Sequence, residues 1–471
     1  MVFSTYEFIF LFLPIVLIGY FLLGKLKNKK IQQIFLIIAS LFFYGYYNVS
    51  YLAIILISVL VNYGMSILIN KQHKKWLLVL GIIFNVLLLG YFKYSNFFID
   101  TFNHIVGTEF NLLNIILPLG ISFFTFQQIA YLVGVYKKEE NVEDIITYML
   151  FVTFFPYVIS GPITTGKEIM GQFKNEENRK VNYNNLAKGI YLFVIGLFKK
   201  IVIANTIALW VDNGYSSAGD MNFIATWVVI LTYTLQIYFD FSGYSDMAVG
   251  IAKMFNINLP YNFNSPYKAN SVREFWRRWH ITLSRLLTNY IYIPLGGSRK
   301  GKIRTYINTL ITFLVSGLWH GAAWTYVVWG GLHGIAIIIE RVFDKVITKI
   351  PVVIRKIGTF IFISITWVFF RAENWEQVKN IFSGLVNFDV NISEIGNLAY
   401  DGIFSFPAIL NVAYITVILI ALLCVIFKCK NSNEKYEQFK FTNKNLIFII
   451  ILFIISVIHL NKVSTFIYFN F

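Results

Sequence analysis

The sequence predicts an all-α fold, a polytopic membrane bundle of about 11–13 helices. Three observations predict it. Of 471 residues, 57% are hydrophobic and only 14% charged, whereas an ordinary soluble domain carries roughly a quarter charged residues; the mean hydropathy is +0.63. Apolar runs of the length needed to cross a hydrocarbon core, about 20 residues, recur from one end to the other. The 40 Lys and Arg residues gather in short loops between those runs, where they orient helices in a membrane. The net charge of +16 therefore points to the lipid bilayer and away from nucleic acid.

The first run, 6–24, has no basic residue before it and Lys25 after it. That order is the reverse of a cleavable signal peptide, so a retained span is expected. Runs at 31–47, 51–69, 76–92 and 112–135 follow, with KLKNKK (25–30), KQHKK (71–75) and Lys137–Lys138 in the intervening loops. Placing these basic loops in the cytoplasm and the amino terminus outside fits every intervening span. The run 145–160 is short and is expected only to dip into the membrane. Spans at 184–211 and 223–239 lead to the least hydrophobic interior stretch, Asp240–Lys302, where a turn (FDFSGYSD) is expected at the start. Runs at 305–320, 322–340, 357–370, 406–427 and 445–461 complete the series. RKGKIR (299–304) and Arg341–Arg355 then fall inside, and the acidic loop Arg371–Asp401 outside. No domain-sized repeat or Pro/Ser-rich linker divides the chain, so residues 1–471 are expected to form a single membrane domain.

Within the apolar tract Tyr306–Ile339, Asn308, Thr312, Ser316 and His320 recur every fourth residue, which on a helix places them near one face. Small hydroxyl side chains often serve helix packing. A titratable imidazole at membrane depth, by contrast, is by default a functional residue. Gly317 and Gly321 flank His320 and permit a broken helix or close backbone approach. Asp240 closes the run WVVILTYTLQIYFD, and its burial cost places it facing the protein interior, as a hydrogen-bonding structural group or a participant in chemistry. In SVREFWRRWHITLSR, Arg273, Arg277 and Arg278 alternate with Phe275, Trp276 and Trp279. This suits an interfacial amphipathic helix, and also a surface that holds the phosphates of an anionic cytoplasmic substrate. His280 follows directly.

His73, His104 and His459 are expected to be structural. His333 lies thirteen residues after His320, a spacing compatible with haem ligation on one helix, but Gly317, Gly321, Gly330 and Gly331 argue against one straight helix and no second His pair exists. Cys424 and Cys429 are too few for a disulfide framework and lack partners for a metal site. No metal and no resident cofactor are expected.

Five ordered strings, DFSGYSDMAVG, LPYNFNSPY, REFWRRWHITLS, YIYIPLGG and SGLWHGAAWTYVVWGGLHG, lie between Asp240 and Gly334. In these the chain resembles the membrane-bound O-acyltransferase family, with residues 240–334 as its motif-bearing core. The opening MVFSTYEFIFLFLP and the later TWVFFRAENW resemble its alginate and peptidoglycan O-acetylation branch. The resemblance implies helices around a central tunnel, His320 as the catalytic residue and His280 as a second important one. It implies acetyl transfer across a bacterial cytoplasmic (inner) membrane to an extracytoplasmic polysaccharide or peptidoglycan. It further implies an extracytoplasmic partner acetyltransferase of the SGNH, serine-esterase-like type.

Acyl transfer to an alcohol needs a base and oxyanion donors. His320 is the candidate base, with Asn308, Ser316, Trp319 and backbone amides near Gly317 and Gly321 as candidates to orient it or to donate. Asp240 is a further supporting candidate. Acetyl-CoA is the expected donor, drawn to the basic face at Arg273–Arg285. Two alternatives remain: D-alanyl transfer to teichoic acid from a carrier protein, and, from another class, a membrane transporter.

Overall fold

A computed structural model describes residues 1–217, 219, 221–389, 391–399 and 407–460. Asp401 and the expected span limits at 406 and 461 lie outside them. Among the described residues the regular elements are all helices. Six are long and apolar enough to cross a membrane: Ser50–Gln72, Lys75–Val106, Tyr183–Ser216, Phe223–Met254, Val352–Arg371 and Ala408–Lys428. Glu7–Leu23, Ile121–Tyr136 and Asn443–Ile458 are shorter apolar helices. The protein is a multi-pass helical membrane protein.

The chain divides into two compact units, Met1–Gly196 with Tyr244–Tyr261 and Lys440–Ile450, and Leu197–Gly243 with Asn262–Phe439 and the segment from Ile451. In the first unit, Asn28 caps helix Lys29–Gly45 by accepting from the Lys30 amide at 3.0 Å. Helices Ser50–Gln72 and Lys75–Leu89 are joined by a reciprocal amide pair: Asn62 Nδ2 donates to Asn85 Oδ1 at 3.2 Å, and Asn85 Nδ2 to Asn62 Oδ1 at 2.6 Å. Such polar links bind helices where lipid offers no hydrophobic drive. The run 145–160 does not form a full span. Helix Ile145–Thr153 has nine residues, about 13 Å of rise and too short to cross. The non-helical chain after it, from Phe154 to Thr164, is buried in protein, as irregular backbone at this depth must be.

The second unit holds the motif-bearing strings from Asn262 to Gly334. We label five of its helices: α1 (Val272–Arg278), α2 (Ile281–Leu287), α3 (Lys302–His320), α4 (Trp324–Val342) and α5 (Val352–Arg371). Helices α3 and α4 form an antiparallel hairpin. A Cβ on Gly317 would meet the Tyr326 carbonyl, and one on Gly330 the Phe313 carbonyl. The two backbones touch there, and only glycine fits. The sequence expectation of a turn at FDFSGYSD is not met: helix Phe223–Met254 runs straight through Asp240. Its local polarity is accommodated inside the protein rather than by ending the helix.

Candidate functional site

His320 is the last residue of α3. Gly321 caps the helix in an extended conformation (φ −156°, ψ 149°), and α4 begins at Trp324. The imidazole thus sits at the apex of the hairpin, the rise of α3 placing it about 27 Å along the axis from Lys302. The sequence alone located it only near the middle of an apolar tract. It is 2% exposed and enclosed by rings, with centroids 4.9 Å from Trp319, 5.1 Å from Trp329 and 5.2 Å from Phe370.

His280 comes to the same place from a different element. Its ring centroid lies 6.3 Å from that of His320, with Trp319 at 5.7 Å and Phe241 at 4.8 Å. Its backbone is left-handed (φ 44°, ψ 52°), a conformation that costs a non-glycine residue of order 1 kcal/mol. Asn262 holds it there. Its carbonyl accepts from the Ile281 amide at 3.0 Å. Its Oδ1 accepts from the Thr282 hydroxyl at 2.7 Å and the Thr282 amide at 3.3 Å. The chain turns sharply between α1 and α2, and the imidazole is carried into the interior. Asn262, in LPYNFNSPY, went unnamed at the sequence level.

The polar stripe of α3 is buried as expected, but its members differ. Thr312, like Thr309 beside the stripe, returns its hydroxyl to a carbonyl one turn back, at 2.7 and 2.8 Å respectively, and so serves the helix itself. Asn308 Nδ2 donates to the Gly297 carbonyl at 2.9 Å. Among the described residues, Asn308 Oδ1 and Ser316 Oγ are buried without a hydrogen-bond partner, leaving capacity for a bound group.

Thr312 and Ser316 line a cavity of about 310 Å³ whose wall also carries Arg273, Arg277, Arg341 and Trp276. It reaches Ser316, one turn short of His320. Arg278 turns elsewhere, binding Glu274 at 2.8 Å and the Asn264 carbonyl at 3.2 Å. Partial burial raises the Glu274 carboxyl, but the Asn270 amide and Arg278 outweigh this and hold it below its usual range. Arg341, from the end of α4, takes a place at the cavity that the sequence reading gave to Arg278. Its Nε is buried without a protein partner among the described residues, while one terminal nitrogen donates to the Tyr292 hydroxyl at 3.3 Å.

Asp240 is paired with Lys200, both nearly fully buried. Lys200 lies in a π-helical segment, Phe198–Ala204. A lysine pair inside the apolar run 184–211 was the available signal for it. Asp240 precedes Phe241 on the helix Phe223–Met254, and the Phe241 ring packs edge-on against His280. Among the described residues no three His, Cys, Asp or Glu side chains cluster as a metal site would require.

Residues 10–373 match the membrane-bound O-acyltransferase family. The peptidoglycan O-acetyltransferase of Helicobacter pylori is 41% identical over 100% of this chain and 98% of its own length. A probable alginate O-acetylase, AlgI, of Pseudomonas syringae is 38% identical over 88% of this chain and 81% of its own. A teichoic acid D-alanyltransferase of Streptococcus thermophilus is 28% identical over 58% and 65%.

Proposed function

The chain belongs to the membrane-bound O-acyltransferase family, and from that premise we propose that it takes acetyl groups from cytoplasmic acetyl-CoA and passes them through the bacterial inner membrane for O-acetylation of an extracytoplasmic polymer. It is an O-acetyltransferase. The relatives that align over most of its length act, by name, on peptidoglycan and alginate. Peptidoglycan is the acceptor we favour, because that relative aligns over both chains almost end to end. The D-alanyl reading has weaker support, since those relatives align over only about half the chain, 58% and 49%. Family membership over residues 10–373 spans both compact units and supports treating the chain as one functional domain.

One observation carries the mechanistic reading. Two imidazoles from separate elements meet at the apex of a hairpin, and a cavity bearing three guanidiniums extends to within one helical turn of them. Guanidiniums suit the phosphates of coenzyme A, and the inner wall of hydroxyls suits its thioester-bearing arm. His320, as neutral imidazole, takes the proton of the acceptor hydroxyl while that oxygen attacks the thioester carbonyl. The proton then passes to the departing thiolate. His280, held by Asn262, faces the same space and orients or polarises the reacting group. Trp319 packs against both rings and fixes their spacing. Ser316 offers a hydrogen-bonding atom on the cavity wall, and Asn308 Oδ1 a further one on the same helix. Asp240, paired to Lys200, has a supporting role at most, on the helix that also carries Phe241 to His280. The apex position of His320 favours acceptance from the outer side, where an SGNH-type partner would complete transfer to the polymer.

Replacing His320 with Ala should lower acetyl transfer by about 10²–10⁴-fold, the usual contribution of a general base, with the protein still inserted. Retained transfer in membranes supplied with labelled acetyl-CoA would exclude His320 as the base. The corresponding His280 variant should also be impaired, and normal turnover in it would leave that ring a packing role only.

A further inference from the structure

Helix α1, which presents Arg273 and Arg277 to the cavity, has seven residues, far fewer than the roughly 12–15 at which a helix sustains itself. Its orientation is therefore set by what holds it. One tie is Glu340 of α4, whose carboxylate accepts from the Val272 amide at 2.5 Å and the Arg273 amide at 3.1 Å. The other is His333, about two turns earlier on α4.

The Trp276 indole donates to His333 Nδ1 at 3.1 Å, and His333 Nε2 lies 3.1 Å from Thr366 Oγ1. An indole N–H can only donate, so Nδ1 accepts and the neutral ring carries its proton on Nε2. That proton is given to Thr366, whose hydroxyl in turn donates to the Ile363 carbonyl at 2.9 Å. The chain runs Trp276 to His333 to Thr366 to Ile363, every link satisfied, and ties α1, α4 and α5 together. His333 and Trp276 are 0% and 6% exposed. An apolar residue could fill the volume of His333, but only a side chain that accepts on one side and donates on the other closes this chain. Trp276 itself lies on the cavity wall between Arg273 and Arg277 in sequence.

We infer that His333 is a positioning residue for the acyl donor: by fixing Trp276 it sets the direction in which Arg273 and Arg277 meet the donor's phosphates. This rests on the reading of the cavity as the acetyl-CoA site. His333 does not line the cavity, and it takes no part in proton transfer to substrate.

The test uses the full chain, with CoA binding measured on purified protein in lipid nanodiscs and acetyl-CoA kinetics in inverted membrane vesicles from the source cells. His333→Ala and Trp276→Phe should raise the CoA Kd and the acetyl-CoA KM about tenfold, the worth of one net buried hydrogen bond. The maximal rate at saturating donor should stay within about twofold, since the transition-state contacts remain. His333→Gln, whose amide offers both an acceptor and a donor, should recover most of the loss. A fall in kcat at unchanged KM, or a Gln variant as weak as Ala, overturns the inference. Should His333→Ala fail to fold, the Gln and Phe variants decide by the same criteria. Arg277→Ala separates the two levels. If it leaves CoA binding unchanged, the donor site itself is wrongly placed; if it weakens binding while His333→Ala does not, only the positioning role falls.

Discussion

The Lys200–Asp240 pair shows what a single polar residue costs at membrane depth and how the protein meets that cost. Both side chains are nearly inaccessible, and each charge offsets the burial cost of the other. Lys200→Met should therefore destabilise the protein by about 3–5 kcal/mol, the loss seen when one partner of a buried pair is removed. The double variant Lys200→Met with Asp240→Leu should regain most of it. Thermal unfolding in detergent checks both, and a double variant no more stable than the single one would show that the pair has a role beyond neutralising charge. Sequence reading identified Asp240 as interior-facing but not its partner, because Lys200 lies forty residues away and only folding joins them. The same limit explains Asn262, whose clamp on the turn at His280 reaches across twenty residues. His320 stood out in the sequence as a candidate because a titratable imidazole in an apolar tract is costly to bury, and the structure places it buried at the end of α3.

Among elements, the α3–α4 hairpin sets the site, and glycine sets the hairpin. Gly317→Ala and Gly330→Ala each drive a methyl into a backbone carbonyl of the facing helix, so neither can be relieved by a side-chain rotation. Each should cost about 1–3 kcal/mol and reduce acetyl transfer by displacing His320. Gly64→Ala, in helix Ser50–Gln72 with nothing within 4 Å of the added methyl, should be neutral or stabilising by up to about 1 kcal/mol. Equal effects of Gly64→Ala and Gly317→Ala on melting temperature would contradict this account. The broken helix was readable from the flanking glycines. The division of the polar stripe was not: Thr312 looks like Ser316 in sequence, but its hydroxyl returns to its own helix while that of Ser316 remains available at the cavity.

For the whole molecule, the basic loops fix one orientation, which predicts labelling by an impermeant thiol reagent. With Cys424 and Cys429 replaced, cysteine at Tyr47 should react from the outside of intact cells, and cysteine at His73 or Lys300 only after the membrane is opened. Labelling of position 300 in intact cells would invert the topology and place the guanidinium-lined cavity on the wrong side for acetyl-CoA. The hairpin agrees with the charge rule, since its antiparallel helices return RKGKIR and Arg341 to one side. Composition and run length by themselves determined a multi-pass helical protein, because the bilayer rewards these properties residue by residue and locally; loop charge adds the orientation that the labelling tests. The ordered strings from Asp240 to Gly334 determined the family. Tertiary structure alone decided which polar groups meet: His280 with His320, Lys200 with Asp240, Arg341 with Arg273 and Arg277, and His333 with Trp276 and Thr366. In a low-dielectric interior each buried polar group must find its partner through packing, and packing joins residues that sequence separation conceals.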